Sequence, residues 1–96
     1  AIQVIRQYSF DRAFMGSCGI DMMDHTVTTL GVEDGLTKKA AIESSRHKYA
    51  VMEREKFYFN ESYKFTQLDE LDGIITDEFP DQSVQDMLDS LGVTLY

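Results

Sequence analysis

Ninety-six residues, 43% of them hydrophobic, can form one small domain with a thin core, because a chain this short buries roughly 60–65% of its unfolded surface. The net charge is −8, residues 65–96 alone carry −8, and every basic residue lies at or before Lys64, so there is no basic stripe to grip a DNA backbone. No run approaches the ~18 apolar residues of a membrane span, and neither a membrane role nor unaided DNA binding is expected.

The start, Ala1-Ile2-Gln3-Val4-Ile5-Arg6, has no signal-peptide core and no initiator Met, so it reads as a point inside a longer protein. Ala13-Phe14-Met15-Gly16 is a short apolar run that suits a buried strand entering a turn. In that turn sits Cys18. A lone thiol cannot form an internal disulfide, which favours a reducing, cytoplasmic setting, and a small residue packed in the turn is its expected role. Gly16 and Gly19 read as glycines needed for positive φ or close packing. Residues 22–27 read as a loop.

A helix is expected from about Val32 to Arg46. Glu33 and Asp34 at its start and Arg46 and Lys48 at its end would complement the helix dipole. Its small face (Ala40, Ala41, Ser44) allows close approach to a sheet. Tyr49-Ala50-Val51-Met52 is the second strand, and β-branched Gly73-Ile74-Ile75-Thr76 the third. Pro80-Asp81 opens a helix in which Val84, Met87, Leu88 and Leu91 fall on one face. Ser83 and Asp86 have capping-box-like spacing, and Gly92 suits a helix end. Val93-Thr94-Leu95 makes a fourth short strand. His25 and His47 are too poorly accompanied to form a metal site, and no cofactor motif is present. Tyr58, Phe59, Tyr63 and Phe65 are either core or the floor of an oligomer contact.

Strands alternating with helices imply an α/β fold with a mainly parallel sheet. Open sheets of this kind bind ligands beyond the carboxyl ends of their strands. Residues 16–21, 53–56 and 76–77 should therefore converge, bringing glycines, an ammonium and carboxylates together.

These residues resemble a family. Asp11-Arg12-Ala13-Phe14-Met15-Gly16-Ser17-Cys18-Gly19-Ile20-Asp21 is similar to the "D-x-A-F-x-G-x-x-G-I-D" stretch of the DeoR-type effector domain. Thr28-Thr29, Glu33 and Lys38-Lys39-Ala40 resemble that family's "T-T … E … V-K-R-A" segment. Lys56-Phe57 stands where the family writes "D-S-S-K-F", and Leu71-Asp72-Gly73-Ile74-Ile75-Thr76-Asp77 resembles its "ID-x-x-ITD" strand. Departures occur at Glu53, Arg54 and Glu55, bulkier than the family's residues at the lip of the expected pocket, and at Thr26, which replaces a usual Gly.

The resemblance implies the C-terminal part of a sugar-phosphate sensor domain from a repressor of a sugar-utilisation operon, a lactose or fructose phosphotransferase operon among the candidates. It implies a partial three-layer α/β sandwich similar to ribose-5-phosphate isomerase, glucosamine-6-phosphate deaminase and CoA-transferase domains. The winged helix-turn-helix that contacts operator DNA, and the first half of the sensor domain, would lie outside this chain. Expected ligand-binding residues are Gly16, Gly19, Asp21, Lys38 and Lys56, with a phosphorylated sugar as effector and a homo-oligomer as the assembly. The alternative is an isomerase or deaminase of the same fold. Those isomerases carry a Glu-Lys pair at the start of the corresponding helix. Here the pair reads Thr37-Lys38, which removes the general base and favours sensing over catalysis.

Overall fold

The computed structural model describes residues 2–96. Its elements are α1 (Ile2–Ile5), β1 (Phe10–Met15), β2 (Gly19–Asp21), β3 (Thr26–Thr29), α2 (Val32–Glu43), β4 (Ser45–Met52), β5 (Tyr63–Gln67), β6 (Gly73–Thr76), α3 (Gln82–Ser90) and β7 (Thr94–Leu95). Short 3-10 turns occupy Arg54–Tyr58 and Leu68–Glu70.

All four expected strands form. They build one sheet in the order β1-β4-β6-β7, and every neighbouring pair is parallel. The α/β architecture with a mainly parallel sheet is therefore the one the alternating pattern implies. β1 begins at Phe10, earlier than the apolar run suggests, because Phe10 and Arg12 pair with Ser45 and His47.

A second sheet, antiparallel and ordered β2-β3-β5, was not announced by hydrophobic pattern. Its strands are short, and β3 is built from threonines that are nonetheless buried. Thr26 opens β3 instead of lying in a loop. It pairs with Asp21 across a tight turn in which His25 adopts φ 56°. The Asp21 carboxylate accepts the Met23 and Asp24 amides at 2.9 and 3.1 Å, which closes the turn.

α2 ends at Glu43, not at Arg46. Ser45 to Lys48 are taken up by β4, whose pairing with β1 outweighs their helix-compatible composition. Arg46 and Lys48 therefore play no part in the helix dipole, and the last turn of α2 holds no basic residue. The small face does pack closely: Ala40 is fully buried, and the Tyr63 ring lies against Gly35.

In α3, Val84 and Leu88 are buried, and Met87 and Leu91 pack against the core beside them. The expected Ser83–Asp86 box does not form. Asp81 is the N-cap residue, it makes no side-chain cap, and Asp86 instead accepts a hydrogen bond from Gln82 Nε2 at 2.9 Å. The far end is as expected. Gly92 has φ 77°, its amide donates to the Asp89 carbonyl, and the Val93 amide donates to Leu88 at 2.9 Å, a Schellman closure.

The core occupies one side of the parallel sheet. Met15, Ala50, Met52 and Ile74 meet Ile42 of α2, Val84 and Leu88 of α3, and Ile20, Val27 and Phe65 of the second sheet. Alternate residues face the other way. Phe14, Val51 and Tyr96 are 56%, 43% and 58% exposed there, although Phe14 stacks on Tyr49 with ring centroids 5.3 Å apart. Parallel sheets are ordinarily covered on both faces. Among the described residues, nothing covers this one.

Candidate functional site

Because β1, β4 and β6 run in one direction, Met15, Met52 and Thr76 end on the same side of the sheet. Just beyond them lies a cavity of about 470 Å³. Its walls come from three segments: Ser17-Cys18 after β1, Val51–Glu53 with Lys56 after β4, and Ile75–Asp77 at the end of β6. The volume falls in the range of roughly 300–1,000 Å³ usual for small-molecule sites. A second cleft, of about 240 Å³ between α2 and β5, includes Thr26, Lys39 and Lys64. It is smaller, and its Lys64 is already paired with Asp24 and Asp21.

The turn after β1 is held from beneath. Ser17 adopts φ 53°, and its carbonyl accepts the Lys38 ammonium at 3.3 Å. No peptide bond is cis, so the N–H that follows this carbonyl points away from Lys38. Lys38 also donates to Thr29 Oγ1 at 3.2 Å and pairs with Asp34 at 2.7 Å, while Thr29 donates to Asp34. The lysine side chain is only 14% exposed. Lys38 lies mid-helix in α2, and Thr37 beside it donates its hydroxyl to the Glu33 carbonyl. Cys18 is buried, with its thiol toward the Gly16 carbonyl; burial pushes its pKa up to about 11.

The turn after β4 presents a different kind of lysine. Lys38, Lys48 and Lys64 are each paired with a carboxylate. Among the described residues Lys56 forms no ion pair; its ammonium stands 4.9 Å from the Phe59 ring centroid at the cavity wall. Glu53 lines the same wall. The neighbouring Glu55 carboxylate, helped by partial burial and Asp77, holds Glu53 above the usual carboxylate range. Asp77 is held below that range, chiefly because it accepts the Arg54 amide at 3.0 Å.

Of the five residues singled out in the sequence, Lys56 alone lines this cavity. Gly16 and Gly19 flank the Ser17-Cys18 wall in the chain. Gly19 is tightly packed, whereas a β-carbon on Gly16 would meet nothing, and the positive φ of the turn belongs to Ser17. Asp21 is committed to the β2–β3 turn, to Lys64 and to Asn60. Lys38 supports the turn without reaching the cavity. Arg54 does not crowd the lip; its side chain runs to Phe79 and Asp81. Among the described residues no group of three or more His, Cys, Asp or Glu could hold a metal ion, and no helix is long and apolar enough to cross a membrane.

Residues 1–78 match the family described as the DeoR C terminal sensor domain. The chain belongs to that family. Among curated relatives of this DeoR-type chain, the HTH-type transcriptional repressor GlcR of Bacillus subtilis (strain 168) is 33% identical over 94 residues, covering 98% of this chain and 36% of its own length. The Glycerol-3-phosphate regulon repressor of Escherichia coli (strain K12) is 31% identical over 87 residues, covering 91% of this chain and 34% of its own. The DeoR-type chain thus spans about a third of these relatives. Both are named as repressors, and neither as an enzyme.

Proposed function

We propose that this domain senses a small phosphorylated sugar or polyol for a transcriptional repressor, and that the cavity beyond β1, β4 and β6 receives the ligand. The observation that carries the reading is Lys56, an ammonium without an ion-pair partner among the described residues, at the wall of a cavity of ligand size. An ammonium serves as a point charge for a phosphate. Thr76 and the carboxylates of Glu53 and Asp77 suit ligand hydroxyls. One relative is named for the regulon of glycerol 3-phosphate, a compound of this chemistry. Gly16, Gly19, Asp21 and Lys38 then act by shaping the turns around the site.

In this reading the bare sheet face is covered by the remainder of the sensor domain, and operator DNA is bound by a helix-turn-helix outside this chain. The acidic residues 65–96 support that division, since they would repel a phosphate backbone. The whole repressor works in the cytoplasm as a homo-oligomer. An isomerase or deaminase reading is not favoured: Thr37, in the position of the enzymes' base, has no carboxylate and is bonded within its own helix. The test is release of labelled operator DNA from the full-length repressor, followed by fluorescence anisotropy during titration with glycerol 3-phosphate and hexose 6-phosphates. Release by a phosphorylated compound and not by its unphosphorylated form supports the reading; release by the free sugar alone contradicts it.

A further inference from the structure

Arg54 opens the turn that presents Lys56, yet its side chain leaves the cavity and crosses to the loop between β6 and α3. Its Nε donates to the Phe79 carbonyl at 3.0 Å and lies 3.4 Å from a Glu78 carboxylate oxygen. Its Nη2 donates to Asp81 Oδ1 at 2.9 Å. The guanidinium stands 5.8 Å from the Tyr58 ring centroid, and the Tyr58 hydroxyl accepts the Asp81 amide at 2.9 Å. On the backbone side, the Arg54 amide donates to Asp77. The two loops that frame the cavity, one carrying Lys56 and the other Asp77, are therefore stitched together through one residue.

Direction matters more here than strength. Arg54 and Asp81 are 39% and 63% exposed, so their ion pair by itself contributes little to stability. A guanidinium that engages a carbonyl and a carboxylate at once nevertheless fixes the relative position of what it joins, which a flexible ammonium cannot do. Among the described residues Lys56 forms no ion pair, so its place at the wall depends on the turn that bears it.

We propose that Arg54 is a positioning residue: its bridge to Phe79 and Asp81 locks the Arg54–Tyr58 turn to the start of α3 and holds Lys56 at the cavity. The proposal rests on the reading of Lys56 as the anion-binding group. It also gives ligand contact at Lys56 a direct mechanical link to α3.

Calorimetric titration of the full-length repressor with inorganic phosphate and with glycerol 3-phosphate tests it, using Lys56→Ala, Arg54→Lys and Asp81→Ala. Arg54→Lys keeps the charge but loses the fork, and is expected to weaken binding about two- to fivefold. Asp81→Ala is the sharper variant. It deletes a negative charge near an anion site, which by Coulomb's law alone would tighten binding. The latch predicts weakening of similar size instead, and a double variant no weaker than either single one. Unchanged or tighter binding by Asp81→Ala, with Lys56→Ala still impaired, overturns the positioning role alone. Wild-type affinity in Lys56→Ala, or no phosphate binding by the wild type, overturns the cavity reading and this proposal with it. Should Asp81→Ala fail to fold by thermal melting, Arg54→Lys decides, and wild-type affinity there overturns the role.

Discussion

Gly19 sits so close beneath the Phe59 carbonyl that a β-carbon there would overlap the oxygen. The next amide, Ile20, donates to the same carbonyl at 2.8 Å. This contact ties the second sheet to the end of the Lys56 turn. Gly19→Ala must push backbone aside, and the expected cost is about 1–3 kcal/mol of stability, together with weaker phosphate binding as Phe59 shifts beneath Lys56. Gly16→Ala is the control. Its β-carbon meets nothing, and the change should stay within about 0.5 kcal/mol. Urea unfolding of the two variants checks the contrast.

Lys38 is expected to matter for stability more than for ligand contact. Lys38→Ala removes support from the Ser17 carbonyl and leaves Thr29 and Asp34 without their cation, a loss of about 1 kcal/mol once the exposure of Asp34 is discounted. Hydrogen bonds from Lys38 first, and Thr29 second, hold Asp34 below its ordinary value of 3.8. A carboxylate depressed in the fold contributes stability that is present above 3.8 and lost as pH falls through the folded value. The acid limb of the stability profile should therefore flatten in Lys38→Ala. An unchanged limb would show that the network contributes nothing.

Glu53 should make phosphate binding depend on pH beyond the ligand's own titration. Its carboxyl is held above the usual range by Glu55, so it loses its charge at a higher pH than an ordinary glutamate, and repulsion of an anion falls with it. Glu53→Gln is predicted to bind inorganic phosphate more tightly at pH 7, with the advantage over wild type shrinking as the pH is lowered. Calorimetry at several pH values measures this. An advantage that does not vary with pH would mean that Glu53 is not the titrating group.

Cys18 is predicted to be inert. Burial raises its thiol to about 11, so almost no thiolate exists at pH 8, and alkylation by iodoacetamide should require unfolding. The thiol's contribution to stability is fully present below the unfolded value of 9.0 and is lost as pH rises from there toward 11. Alkylation of the folded protein at the rate of a free thiol would contradict this.

Local signals made the parallel sheet legible. β-branched or apolar runs marked all four of its strands in order, three of them beside a glycine, and i, i+3, i+4 spacing marked α3. The second sheet was hidden because β2 and β3 are only three and four residues long and rich in polar side chains. Their burial depends on partners distant in the chain, such as Glu61, whose amide reaches Thr28 Oγ1 at 3.0 Å. The same limit applies at the site. That Lys56 would lie just beyond the end of a strand was visible, but the routing of Arg54 toward Asp81, 27 residues away, was not. Lys38 carried the right chemistry for an anion; only the structure shows that Asp34 already neutralises it.

The central claim is that Lys56 binds the phosphate of a small effector, and calorimetric titration of wild type and Lys56→Ala in the full-length repressor tests it most directly. A charge-assisted contact of this kind contributes about 1.5–3 kcal/mol, so affinity for glycerol 3-phosphate or a hexose 6-phosphate should fall roughly 10- to 150-fold. Affinity for operator DNA without effector should stay at the wild-type value. Equal effector affinities, with the variant melting like wild type, would contradict the assignment and leave Lys56 an ordinary surface lysine.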